Sequence, residues 1–278
     1  MQNLNLNVQY NSLDNLPIKI HNEMARTLAR FSEPEYAKLF LISLGKLLES
    51  NDNIAHINKV ELFDKLDITD EQRYTRFFKM LKEMRKRTEY DIVIDEDNEI
   101  SGNIISRIER NKSNYNVVFD DKMAPILKEL KGHYTMYYIN SILTFNSSFS
   151  ISLYNYLMSW EDKKEVINKR YLSTKQLKEL FGLSESDYMR KDGTFDRSNF
   201  EKKTIHKAVE EIVKSGAINI YWYKAKHRLT KQVVAYVFEY VVFDNYEKVV
   251  PGYEFTKGHY GKKEDIIINT EEDIIKKP

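Results

Sequence analysis

Asn199, Lys202, Lys203, His206 and Glu210 fall on one side of a helical wheel drawn over residues 197–214, with Lys207 at the edge. Phe200, Thr204, Ile205, Ala208 and Ile212 fall on the other. A helix of this kind seats itself by its apolar face. It then offers amide, ammonium and imidazole groups along the opposite one. That donor set suits base edges in a duplex major groove: an asparagine for adenine, lysines for guanine or phosphate. A merely solvated face is the plain alternative. Against it stands the basic run that follows, where Lys224, Lys226, His227, Arg228 and Lys231 lie between two apolar strand-like segments. A turn there would carry those groups to backbone phosphates or into the minor groove.

A second basic helix lies earlier in the chain. Over residues 70–88, Tyr74, Phe77, Phe78, Leu81 and Met84 form one side. Gln72, Arg76, Lys79 and Glu83 form the other, with Lys86 beside them and Arg73 and Arg87 nearer the edge. Arg76 is the expected guanine reader, because its planar fork matches the O6/N7 pair. The residues three and four positions from it are Gln72, Arg73, Lys79 and Met80, none of them acidic. The expected DNA-contacting set is therefore Gln72, Arg73, Arg76, Lys79, Lys86 and Arg87 from this helix. Asn199, Lys202, Lys203, His206, Lys207, Lys224, Lys226, Arg228 and Lys231 join them from the later segments.

The charge is local rather than global. Lys and Arg number 43 against 42 Asp and Glu, a net charge of +1, which excludes a wholly basic coat. Residues 70–90 hold seven basic residues against four acidic, and residues 197–231 hold nine against three. Catalytic signals are poor. The six histidines stand too far apart for an H-x-H or HExxH ligand pair, which argues against a metal-assisted nicking endonuclease despite 19 Tyr. There is no cysteine, so no disulfide, thiolate metal site or cysteine nucleophile. No P-loop appears; Gly258-His259-Tyr260-Gly261-Lys262 is too short for one. The expectation is a non-enzymatic protein without metal or cofactor. Residues 1–16 carry no Lys or Arg to open a signal peptide, and the longest apolar stretch, Leu39–Leu48, is interrupted by Lys46. A cytoplasmic location and no membrane partner are expected.

The elements that must position these helices follow from periodicity. The first ten residues read as an arm. Helices are expected at 22–30, 35–49 and 59–66, then from a Thr69 cap with Gln72 three residues on, to about Thr88. Strands follow at 90–95, 99–108 and 115–119. The order then recurs: helix 148–160, a short helix 174–181 capped by Ser173 and ended by Gly182, a polar loop 184–195, and the long helix 197–214 ended by Ser215-Gly216. Strand 217–223, a basic turn 224–231 and strand 232–240 complete it. After Phe243 the pattern thins to a tail, with a possible short segment at 266–268.

Helix, short helix, turn, long basic helix, hairpin: this order occurs twice, and it is the winged-helix order. The expected fold is α+β, two tandem winged-helix domains between a flexible N-terminal arm and a C-terminal tail. Domain boundaries are expected at 1–15 for the arm, 16–145 and 146–243 for the two domains, and 244–278 for the tail. The first domain combines DNA binding with a possible dimer contact.

The run from Phe149 to Tyr240 resembles the C-terminal winged-helix half of plasmid replication initiators, the Rep proteins of theta-replicating plasmids with iterons. The stretches that carry the resemblance are Phe149-Ser150-Ile151-Ser152-Leu153-Tyr154-Asn155-Tyr156-Leu157 and Leu172-Ser173-Thr174-Lys175-Gln176-Leu177-Lys178-Glu179-Leu180 with Gly182 and Tyr188. The helix from Phe200 to Ile212 and the hairpin with Lys224 and Arg228 complete it. The N-terminal half is similar to the family's first domain more loosely, and together they span about residues 15–243. One departure is Lys214-Ser215-Gly216-Ala217-Ile218, where many members carry an INxxTD-like run.

The resemblance implies binding of double-stranded origin repeats, opening of adjacent AT-rich DNA, and recruitment of a host initiator and helicase. It also implies a monomer–dimer equilibrium, with dimers repressing their own promoter and monomers binding iterons. A two-winged-helix transcriptional regulator without a replication role would make DNA contacts of the same kind. A protein–protein adaptor that binds no nucleic acid is the reading from another class.

Overall fold

The computed structural model describes residues 13, 16–26, 28, 31, 33–66, 68–69, 73–93, 99–129, 134–162, 165, 167–242, 261–262 and 265–268. The chain divides into two compact units. The first draws on residues 1–20, 38–132 and 136–143, the second on 21–37, 133–135 and 144–278. Most of the expected arm lies outside the described residues. Leu13, however, is buried, and its N–H donates to Glu61 Oε1 at 2.6 Å.

Strand β1 (Pro17–His21) leads through α1 (Asn22–Arg26) to α2 (Pro34–Glu49). Then come β2 (Ile54–Asn58), α3 (Lys59–Lys65), α4 (Arg73–Lys86), β3 (Glu89–Val93), β4 (Glu99–Asn103), β5 (Ile105–Arg110), β6 (Asn114–Phe119), α5 (Met123–Lys128), β7 (Tyr134–Tyr138) and α6 (Asn140–Leu143). In the first unit β2, β6 and β5 form an antiparallel sheet in that order, with Ala55 opposite Val117 and Ile57 opposite Tyr115. Alternation along β2 buries Ala55 and Ile57 and exposes His56 and Asn58. Asn58 also caps α3, its side-chain oxygen accepting from Val60 N at 2.9 Å and Glu61 N at 3.2 Å.

Helix α4 is held by an aromatic cluster. Phe63 meets Tyr74, Phe77 and Tyr115 edge-on, and Tyr115 stacks on Phe77 at 6.1 Å. Phe77, Leu81 and Met84 are buried as the wheel expects. Tyr74 is not: it stands 41% exposed, because its ring packs edge-on at the rim of the cluster while its backbone carbonyl accepts the Tyr115 hydroxyl at 2.9 Å. The strand expected at 99–108 is two. Ile104 breaks it by turning its N–H to Thr88 O, so β3–β4 forms a hairpin of its own beside the main sheet.

The second unit continues with α7 (Ser148–Ser159), β8 (Asn168–Leu172), α8 (Thr174–Leu180) and α9 (Arg197–Phe200). A π-helical turn (Glu201–His206), α10 (Lys207–Lys214), β9 (Ile218–His227), β10 (Val233–Val242), β11 (Gly261–Lys262) and β12 (Ile266–Ile268) follow. Ser147 caps α7, and Ser173 with Gln176 forms the capping box of α8. Gly182 and Gly216, at φ 66° and 75°, end their helices in the left-handed region as expected. β8, β10 and β9 form the sheet, and the buried Tyr240 hydroxyl donates to Leu157 O at 2.7 Å to tie β10 to α7. Helix, strand, short helix, long helix and hairpin make each unit a winged helix.

One expectation is corrected at the wing. The wing strands are longer than expected, since β9 runs on to His227 and β10 to Val242. Lys224, Lys226 and His227 are therefore strand residues, paired in register with β10 or its edge, and the turn is 228–232. The tail pairs with the wing: β12 is the short segment expected at 266–268, and β11 adds a second. β11 and β12 pair in parallel with the outer edge of β9, Ile266 opposite Ala225 and Ile268 opposite His227. Ile266 and Ile268 pack on Tyr223, Ala225, Ala235 and Val237. No helix among the described residues is long and apolar enough to cross a membrane.

Candidate nucleic-acid interface

In the second unit the 197–214 helix begins at Asp196. Its carboxylate accepts from Asn199 N at 3.2 Å and Asn199 Nδ2 at 2.6 Å, and these bonds hold it below the usual carboxylate range. Asn199 is exposed, with its amide already donating to this cap. Lys202, Lys203, His206 and Lys207 are exposed, while Phe200, Thr204, Ile205, Ala208, Val209, Ile212 and Val213 are buried. The residues singled out on the wheel separate onto the expected faces, but Val209 and Val213, which a regular wheel sets beside Lys202, are buried. Ser198 and Lys214 share the exposed side, though the wheel singled out neither; Lys214 pairs with Glu210 at 2.7 Å.

The helix is fixed at both ends by carboxylates. Toward its C-terminus, Glu211 Oε2 accepts from Asn146 N and Ser147 N, each at 3.1 Å, and from Ser150 Oγ at 2.6 Å, all at the start of α7. A carboxylate there also meets the positive end of the α7 dipole. Toward its N-terminus, Glu201 accepts from Lys224 Nζ at 3.1 and 3.2 Å and from the Tyr236 hydroxyl at 3.1 Å. Burial is the main reason the Tyr236 phenol is pushed well above its ordinary value, with the neighbouring Glu201 charge adding to it.

The wing residues are not equivalent. Lys224 is 14% exposed and turned inward to Glu201 rather than outward to a ligand. Lys226 pairs with Asp265 Oδ2 at 2.7 Å. Burial opposes ionisation of Asp265, but the bonds from Lys226 and from Lys224 N–H outweigh it and hold the carboxyl below its usual range. Arg228 and Lys231 are exposed at the turn, where Arg228 N–H donates to Ile268 O and Lys231 adopts a φ of 57°. Between them Leu229 is 83% exposed. Of the expected wing contacts, only these two stand at the tip.

In the first unit Arg76 and Lys79 are exposed along α4, and so is Lys82, which sequence reasoning missed although it follows Lys79 by one helical step. Lys86 is exposed but paired with Glu83 at 2.8 Å. The Glu83 carboxyl is lowered chiefly by that bond. Arg73 is half-buried over the Phe63 and Tyr74 rings, at 5.5 and 5.3 Å, and Arg87 is half-buried. Gln72 lies outside the described residues. Among the described residues no group of His, Asp and Glu has the arrangement of a metal site.

A family model described as "Initiator Replication protein, WH1" matches residues 17–158, and one described as "Initiator Rep protein, WH2" matches residues 173–240. Among solved structures, one described as "Crystal structure of Pi initiator protein in complex with iteron DNA" is similar with a TM-score of 0.63 at 21% sequence identity. The match covers 83% of this chain and 99% of that one, and it shows a shared fold of two winged helices. No curated protein sequence matches the chain.

Proposed function

This chain belongs to the initiator replication protein family, and we propose that it is a plasmid replication initiator that binds iterons, the direct repeats of an origin, in duplex DNA. The observation that carries the proposal is the 197–214 helix. Lys202, Lys203, His206 and Lys207 stand exposed opposite a fully buried apolar face, at the position in a winged helix that enters a major groove. The solved relative bound to iteron DNA supports the choice of ligand. Arg76, Lys79 and Lys82 on α4 supply a second face of the same kind.

Binding, not catalysis, is the whole chemistry in this reading. The protein needs no cofactor, works in the cytoplasm, opens AT-rich DNA next to the repeats, and hands it to a host initiator and helicase. A monomer–dimer equilibrium switches it between repeat binding and repression of its own gene. The test is replication of a minimal origin plasmid with this chain supplied in trans. Establishment that depends on the chain supports the initiator. Repression of the promoter without any establishment supports a transcriptional regulator instead.

A further inference from the structure

An unbroken α-helix would place Lys202 and Val213 within about 20° of one another, since eleven residues make close to three turns. Lys202 is exposed and Val213 is 1% exposed. The π-helical turn at Glu201–His206 accounts for the difference, because each such turn takes up about one extra residue. It rotates the first part of the helix relative to α10, whose seat is fixed by Glu211 on α7. Within the turn, Thr204 Oγ1 donates to Phe200 O at 2.6 Å, the same bond to the carbonyl four residues earlier that Ser43 makes to Leu39 in α2.

The turn begins where the helix is pinned to the wing. Lys224 and Tyr236 face each other directly across the β9–β10 ladder, and the Glu201 carboxylate sits over that one cross-strand pair. The Phe200 ring lies 6.1 Å from the Tyr236 ring, so two consecutive helix residues grip the same tyrosine. Glu201 and Lys224 are each 14% exposed, which leaves neither charge free for a ligand.

We propose that Glu201 is a positioning residue for DNA readout: its bonds to Lys224 and Tyr236 hold the π-helical turn that sets which base edges Asn199, Lys202, Lys203 and His206 can reach. The inference rests on the reading of the 197–214 helix as the element that enters the groove. A carboxylate in a basic helix lowers attraction to phosphate, so its presence at this place answers to geometry rather than to charge. Without it the first part of the helix relaxes toward ordinary α-helical rotation, and the same side chains meet different edges.

The experiment is selection from a randomised duplex pool by the full chain and by its Glu201→Gln variant, followed by titration of each against the wild-type winner and the unselected pool. The expected result is a changed base preference at one or more positions and a winner-to-pool affinity ratio reduced about tenfold, the scale of one lost base contact. Affinity for the pool is unchanged or slightly higher, because a negative charge is gone. The same winner with the same ratio overturns the inference, and so does an equal loss on winner and pool, which is what a purely structural role would produce. Tyr236→Phe removes the phenol bond to Glu201, together with the Arg197 contact to that phenol, while leaving the Glu201–Lys224 pair in place, and it decides the matter if the Gln variant unfolds. It is expected to shift the ratio in the same direction by a smaller factor, and an unchanged ratio again overturns the inference. A wild-type chain that selects nothing from the pool would instead refute the DNA-reading premise.

Discussion

Lys226 Nζ and Asp265 Oδ2 lie 2.7 Å apart, an ion pair that joins the wing strand β9 to β12 from the C-terminal segment. The same carboxylate accepts the Lys224 N–H at 3.1 Å. A cation expected at the phosphate backbone is thus neutralised within the protein. Asp265→Asn keeps an acceptor for the Lys224 amide and releases the Lys226 ammonium. Duplex affinity should then rise, and the slope of log K against log salt should steepen by about one, the contribution of one further phosphate contact. Salt titrations of the two proteins on one duplex measure this.

The helix should supply sequence preference and the wing tip affinity. Lys203 is exposed on the helix, whereas Arg228 stands at a turn whose backbone cannot share the groove with that helix. Lys203→Ala is expected to cost about 1–3 kcal/mol on the selected sequence and to alter preference at one position. Arg228→Ala should weaken all duplexes alike and reduce the salt slope by about one. Selections with each variant separate the two roles, and a preference that changes with Arg228 but not with Lys203 would reverse the assignment.

Glu211 should matter for stability more than for DNA. It accepts two backbone N–H groups and one hydroxyl at the start of α7. Glu211→Ala leaves those donors without their acceptor and is expected to destabilise the protein by about 1–3 kcal/mol. Thermal denaturation would show this as a lower midpoint. Binding of the still-folded variant to duplex DNA at low temperature should change little.

The two faces of the 197–214 helix were legible because they depend on local periodicity. Phe200, Ile205, Ala208 and Ile212 recur at helical spacing, and burial follows from that alone. The π-helical turn was not legible, since it is fixed by Lys224 and Tyr236, 23 and 35 residues further on. For the same reason Lys224 looked like a phosphate contact: its partner Glu201 lies on another element. Strands β2 and β8 were missed in both units. Each is five residues long and takes its conformation from pairing with β6 or β10 rather than from its own pattern. Asn58 and Ser173 show the contrast at the helix starts. Ser173 stands before a clear helical run with Gln176 three residues later, whereas the Asn58 cap closes a strand that was itself unseen.

Recognition of repeated origin DNA is open to a single test, footprinting on the DNA that flanks the coding sequence. The expected footprint is a series of protected segments sharing one sequence in direct repeat, all lost together in the Lys203→Ala variant at the same protein concentration. Protection that is uniform along the fragment, or absent at concentrations where the folded chain is in excess, would contradict it.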